Sequence, residues 1–160
     1  MENKPFIFGV ATSGDNFTDR EKETGHLLLN FQYGVNTVLI SPRRWGKTSL
    51  VQKVCRLAQS DKLKVVYLDI FSCRSDKDFY DAFAAAVLKQ TSSKLDEWLE
   101  NTKLFLSRIS PKISMGTDPM TDFSISLEMN PRSDDVDEIL QLPEKIAQKK
   151  GCNIVVCIDE

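Results

Sequence analysis

The spacing of apolar residues changes repeatedly along this chain, and each change predicts an element. Three short runs are almost continuously apolar: 37–40 (TVLI), 65–70 (VVYLDI) and 154–158 (IVVCI). Runs of that length and composition suit strands buried on both faces. Between them the spacing turns helical. Leu27, Leu28 and Phe31 mark one helix, and Leu50, Val51, Val54, Leu57 and Ala58 a second, with Lys53 and Arg56 outward. Phe79, Phe83, Ala86 and Val87 mark a third, and Leu95, Trp98, Thr102, Leu106 and Ile109 a further amphipathic stretch. Phe123, Ile125, Leu127 and Met129 then alternate with Ser124, Ser126 and Glu128, which is the period of a strand with one wet face. It reads as an edge strand or hairpin arm, paired with 113–115 across 116–119 (GTDP).

Polar and special residues set the boundaries. Thr18 followed by Glu21 reads as a capping box, with Asp19 and Glu21 placing negative charge in the first turn. That helix stops near Gly34. Ser41-Pro42 ends the first strand, and the second helix begins from Gly46. Ser75 with Asp78 opens the third helix, Pro111 stops the fourth, and Gly151 suits the end of a helical region over 134–150. Pro143 starts its own turn inside that region as an N1 proline. Strand 37–40, the helix from Gly46 and strand 65–70 form a βαβ unit, a crossover that is nearly always right-handed. Residues 1–17, punctuated by Pro5, Gly9 and Gly14, are irregular.

At 160 residues the chain has length for one domain with a real core. Lys and Arg number 21 against 23 Asp and Glu, a net charge of −2, so no global positive field argues for a nucleic-acid coat or an anionic membrane. No run approaches the eighteen or so apolar residues of a membrane span. Residues 5–11 (PFIFGVA) follow Lys4 but are short for a secretion signal and lead to no cleavage site. Cys55, Cys73, Cys152 and Cys157 include no CxxC pair, and His26 is the single histidine, which is the wrong set for zinc. Cys55 and Cys157 lie inside apolar segments and read as small buried hydrophobes. A reduced, cytoplasmic protein is the expectation.

The chemistry concentrates at residues 41–48 (SPRRWGKT). These match G-x-x-x-x-G-K-[ST] at every fixed position but the first, where Ser41 replaces Gly. Successive backbone N–H groups across Ser41, Pro42, Arg43, Arg44, Trp45 and Gly46 would wrap a β-phosphate, and the following helix adds the positive end of its dipole. Lys47 supplies charge between β- and γ-phosphates, and Thr48, followed by Ser49, offers a hydroxyl to Mg²⁺. Gly46 permits close approach and positive φ. Ser41 is expected in an ordinary extended conformation, because Pro42 restricts it that way. Arg43 and Arg44 either touch phosphate or are solvated. Trp45 either covers the nucleotide or packs under the neighbouring helix, packing being favoured.

The last apolar run ends in Asp159-Glu160. An Asp at a strand's C-terminal end suits the water shell of Mg²⁺ beside Thr48, and an adjacent Glu suits a general base for the attacking water. Asp69, ending the second strand, is a weaker acidic candidate.

Residues 42–50 (PRRWGKTSL), with Thr18-Asp19-Arg20-Glu21 before them and 154–160 (IVVCIDE) after, resemble the prokaryotic AAA+/STAND-type P-loop ATPases, as does 142–151 (LPEKIAQKKG). The resemblance covers nearly the whole chain. It implies a three-layer α/β/α P-loop NTPase fold with a mainly parallel sheet, incomplete at the C-terminus and carrying an inserted hairpin-like segment. Residues 18–160 would be the N-terminal portion of the ATPase domain, truncated after the acidic motif. In such proteins the segment matching 17–23 lies near the nucleotide base, which implies an adenine-side role for Asp19 and Arg20; helix capping and a surface ion pair are the alternative. ATP and Mg²⁺ are the implied cofactors. A protein or DNA partner, a homo-oligomer, and the sensor, lid and arginine finger would belong to regions outside this chain.

Three functions compete. The first is an ATPase switch or motor in which Lys47 and Glu160 carry catalysis and hydrolysis is coupled to a partner. The second is a nucleotide-binding regulatory module with little or no hydrolysis. A P-loop small-molecule kinase is the third, and the Asp159-Glu160 pair argues against it, since a residue poised to activate water would waste phosphate. An ABC-type ATPase is disfavoured because 134–153 contain no LSGGQ-like signature.

Overall fold

A computed structural model describes residues 20–92, 111–115, 123–127 and 133–159. Contacts divide the chain into two units, Met1–Ser60 and Asp61–Glu160.

In the first unit, α1 (Glu21–Gln32) lies against α2 (Lys47–Ala58). Leu27 of α1 and Leu50 and Val54 of α2 form its buried core, with Leu28, Phe31 and Leu39 packed around them. These positions sit three and four apart on each helix, so one face of each is apolar. The end of α1 is closed by the Val35 N–H, which donates to the Asn30 carbonyl at 2.9 Å, while Gly34 takes φ +66°. That six-residue loop needs a left-handed residue, and glycine adopts one without steric cost.

The second unit runs β1 (Leu63–Asp69), α3 (Asp76–Thr91), β2 (Pro111–Met115), β3 (Phe123–Leu127), α4 (Ser133–Leu140), α5 (Leu142–Lys150) and β4 (Asn153–Asp159). It is mixed α/β. β1 and β4 form a two-stranded parallel sheet in register from Leu63 opposite Asn153 to Asp69 opposite Asp159. Two further backbone bonds extend that ladder, Asn153 N–H to the Lys62 carbonyl and Ile70 N–H to the Asp159 carbonyl, each 2.8 Å. Side chains alternate across a strand, so Val66 and Leu68 share a face with Ile154 and Val156. That face packs on Phe83, Ala84, Val87 and Leu88 of α3, Ile139 of α4, and Leu142 and Ile146 of α5. Each fully buried Val, Leu, Ile or Phe side chain among these contributes about 1.5–3 kcal/mol.

Helix ends in this unit follow their sequence signals. The Ser75 side chain accepts from the Asp78 N–H at 3.1 Å, and Asp78 Oδ2 accepts from the Arg74 N–H at 3.0 Å, so α3 starts with two amide donors satisfied. At its other end Lys150 Nζ donates to the carbonyl of Thr91, placing a cation at the negative end of the helix dipole. Pro143 sits in the first turn of α5, and Gly151 closes that helix at φ +62°. β2 and β3 form the expected antiparallel pair, with Ile113 opposite Ile125 and Met115 opposite Phe123.

Several expectations are corrected. Residues 37–40 form no strand, so the βαβ unit expected over 37–70 lacks its first member. The physical reason is the lack of a ladder partner: among the described residues β1 and β4 pair only with each other. Leu39 alone turns to the core, while Val38 and Ile40 are 85% and 89% exposed. Thr37 is tied instead to the end of α1, its hydroxyl accepting from Asn30 Nδ2 at 3.0 Å and donating to the Val35 carbonyl at 3.1 Å. β4, expected to be buried on both faces, is mostly half-buried. Helix α1 begins at Glu21 with Arg20 as its cap, not at the Thr18 box, since Arg20 adopts φ +66° and breaks the helical path. Cys55 and Cys157 are half-buried thiols, and Leu57 faces outward from α2. The 95–109 helix with Trp98, the 116–119 turn, residues 1–17, Thr18, Asp19 and Glu160 all lie outside the described residues.

Candidate phosphate-binding loop and acidic strand end

In the first unit, the chain leaves 37–40 and turns sharply. The Trp45 N–H reaches back to the Pro42 carbonyl at 3.4 Å, enclosing Arg43 and Arg44 in a four-residue turn. Arg44 takes φ +66°, as the third residue of a type II turn must. Ser41 is outside the left-handed region, so replacing Gly at the first motif position imposes no positive-φ strain. The strained residue is Arg44. A left-handed non-glycine residue costs on the order of 1–2 kcal/mol.

Gly46 then caps α2 at φ +71°, ψ +25°, and its carbonyl accepts the Leu50 N–H at 2.9 Å, the first bond of the helix. Lys47 and Thr48 are therefore the first two helical residues, both half-buried, and Ser49 is buried. A helix start directs its first N–H groups outward and carries about half a positive charge. A change of backbone hand just before it gathers successive N–H groups into an anion-receiving concavity. Pro42, Arg43, Arg44 and Trp45 are exposed, and the Trp45 ring at 65% exposure does not pack under a helix as favoured from sequence. Ser41 Oγ is closed off from solvent and has no hydrogen-bond partner among the described residues.

The Arg20 side chain reaches the loop. Its guanidinium Nη1 donates to the Trp45 carbonyl at 2.9 Å, and its Nε to Glu23 Oε1 at 3.3 Å. The surface ion pair expected as the alternative is thus present. The reach to the loop was not legible, because it spans 25 residues and depends on Arg20 adopting a left-handed backbone.

In the second unit, Asp159 ends β4 at 6% exposure. Tyr67 of β1, diagonal to it across the ladder, donates its hydroxyl to Asp159 Oδ2 at 3.0 Å. The Tyr67 backbone is itself held. Its N–H donates to Gln90 Oε1 at 2.9 Å and its carbonyl accepts from Gln90 Nε2 at 2.8 Å. Asp69 is exposed, and its Oδ1 accepts from the Phe71 N–H at 2.9 Å, a turn-forming contact rather than a catalytic one. His26 is exposed on α1. Among the described residues no cluster of three or more His, Cys, Asp or Glu forms a ready metal cage. Mg²⁺ needs none, since it is commonly held by one or two protein oxygens, water and a ligand's phosphates.

Comparison with known proteins returned no matching family model, no matching curated protein and no matching solved structure. The site must speak through its own chemistry. Among the described residues no helix is long and apolar enough to cross a membrane.

Proposed function

We propose that this chain is the nucleotide-binding part of a cytoplasmic P-loop ATPase of AAA+/STAND type with the three-layer fold of that family. ATP and ADP are its ligands, and its binding state is passed to a protein or DNA partner. The observation that carries the reading is the backbone at Gly46. Left-handed glycine joins the 41–45 turn to α2, with Lys47 and Thr48 at the helix start, an arrangement that suits a phosphate cradle.

Roles follow from side-chain chemistry. Lys47 neutralises the β- and γ-phosphates as a point charge, and the loop amides bind their oxygens. Thr48 would offer Mg²⁺ a hydroxyl, and the sequence resemblance assigns Asp159 the carboxylate for its water shell. When bound with the nucleotide, Mg²⁺ offsets the charge that develops on the phosphate oxygens. Glu160 takes the proton of the attacking water.

Calorimetric titration of Mg·ATP into the chain tests this. Saturable binding is expected, abolished by Lys47→Ala and retained by Glu160→Gln, which loses turnover alone. A folded wild-type chain that takes up no Mg·ATP overturns the reading. Binding without turnover in the wild type selects the regulatory module over the motor.

A further inference from the structure

The Arg20 contact bears on how the loop presents its amides. The structure contains no cis peptide bond among the described residues, so the Trp45–Gly46 peptide is trans. In a trans peptide the carbonyl and the following N–H point in opposite directions. Arg20 Nη1 holds the Trp45 carbonyl at 2.9 Å. The Gly46 N–H is therefore aimed away from Arg20 for as long as that bond is made.

This peptide is the one in the loop most able to turn over. Rotating it exchanges positive for negative φ at residue 46, and glycine accepts both about equally. The freedom that lets Gly46 sit close to a ligand also lets its amide rotate out of use. A rotated peptide would present a carbonyl oxygen, with its partial negative charge, where a donor is wanted. Glu23 steadies the latch: its Oε1 accepts from Arg20 Nε at 3.3 Å, and the two residues are three apart at the start of α1. Arg20 itself is fixed by its left-handed backbone and by its carbonyl, which accepts the Thr24 N–H at 2.9 Å.

We propose that Arg20 is a positioning residue that latches the Trp45–Gly46 peptide, so that the loop's affinity for the polyphosphate part of a ligand, whatever its base, depends on this guanidinium. The proposal rests on the phosphate-loop reading above and deepens it.

The test compares Mg·ATP with Mg·tripolyphosphate, which has no base, on wild type, Arg20→Ala and Lys47→Ala. Arg20→Ala is expected to weaken both ligands by the same factor, about tenfold for a lost charge-assisted bond. That loss should persist at high ionic strength, because it comes from amide orientation and not from a screened charge. The Gly46 amide resonance provides a readout that general loss of stability would not mimic: single in wild type, doubled or exchange-broadened in folded Arg20→Ala. Glu23→Gln, which leaves the latch but loosens its brace, should fall between. Weakening of ATP alone would show that Arg20 reads the base and would overturn the proposal, as would an unchanged Gly46 resonance or a loss that vanishes with salt. If wild type binds both ligands and Lys47→Ala abolishes binding while Arg20→Ala changes nothing, the latch alone fails. A wild type that binds neither ligand overturns the phosphate loop and the latch together.

Discussion

The Tyr67 hydroxyl donates to Asp159 Oδ2 at 3.0 Å, joining the middle of β1 to the end of β4. A buried carboxylate needs donors, because desolvation of an unpaired charge is costly. The phenol supplies one and fixes the carboxylate's rotation about its own axis. Tyr67→Phe keeps the ring and removes only this bond. It is expected to cost about 1–2 kcal/mol in urea unfolding. A double-mutant cycle with Asp159→Ala, which removes the acceptor, should return a coupling of about 1 kcal/mol, and strictly additive losses would refute the link.

Gln90 holds Tyr67 from the opposite direction. Gln90→Leu leaves the Tyr67 N–H and carbonyl without their side-chain partner and should cost about 1–3 kcal/mol. Gln90→Glu keeps the acceptor for the N–H and loses the donor to the carbonyl, so it should fall between. Amide hydrogen exchange at Tyr67 should quicken in the same order.

At Gly46 an added methyl group would meet nothing within 4 Å, so Gly46→Ala creates no clash. Its effect is confined to the backbone, where φ of +71° disfavours a side chain by about 1–2 kcal/mol. Thermal unfolding should show that loss, with Gly46→Asn milder because asparagine tolerates the left-handed region. Arg44→Gly should move the other way, raising stability by relieving the left-handed arginine.

Acid sensitivity should include the start of α3. The Arg74 N–H, then the Ser75 side chain, hold the Asp78 carboxyl below its ordinary value. A carboxyl whose folded pKa is lowered stabilises the fold above its unfolded pKa, near 4, and that contribution fades as pH falls through the folded value. Ser75→Ala should raise the Asp78 pKa in an NMR titration and shrink the stability difference between pH 7 and pH 3. An unmoved titration would show that the Ser75 side chain plays no part.

Several local signals were legible where the interaction was short in sequence. Ser75 and Asp78 announce the start of α3, Gly151 the end of α5, and the alternation from Phe123 its pairing with 113–115. The positive φ expected of Gly46 is present, and Ser41 lies outside the left-handed region. What sequence concealed depends on distant partners. An apolar tetrad at 37–40 has strand composition, yet composition supplies no neighbour for its amides. Arg20 reaches the loop, and Gln90 the middle of β1, through side chains whose length permits many destinations.

The Gln90 clip has a directional consequence. Both backbone groups of one strand residue point to the same side, so those of Tyr67 face the flank away from β4. There a side-chain amide stands in for a neighbouring strand, one donor and one acceptor in the places a backbone would offer them. A template occupied in this way cannot recruit another chain at that point. The sheet is therefore sealed against growth at the centre of its β1 flank, and recruitment of a further strand there must first evict a glutamine.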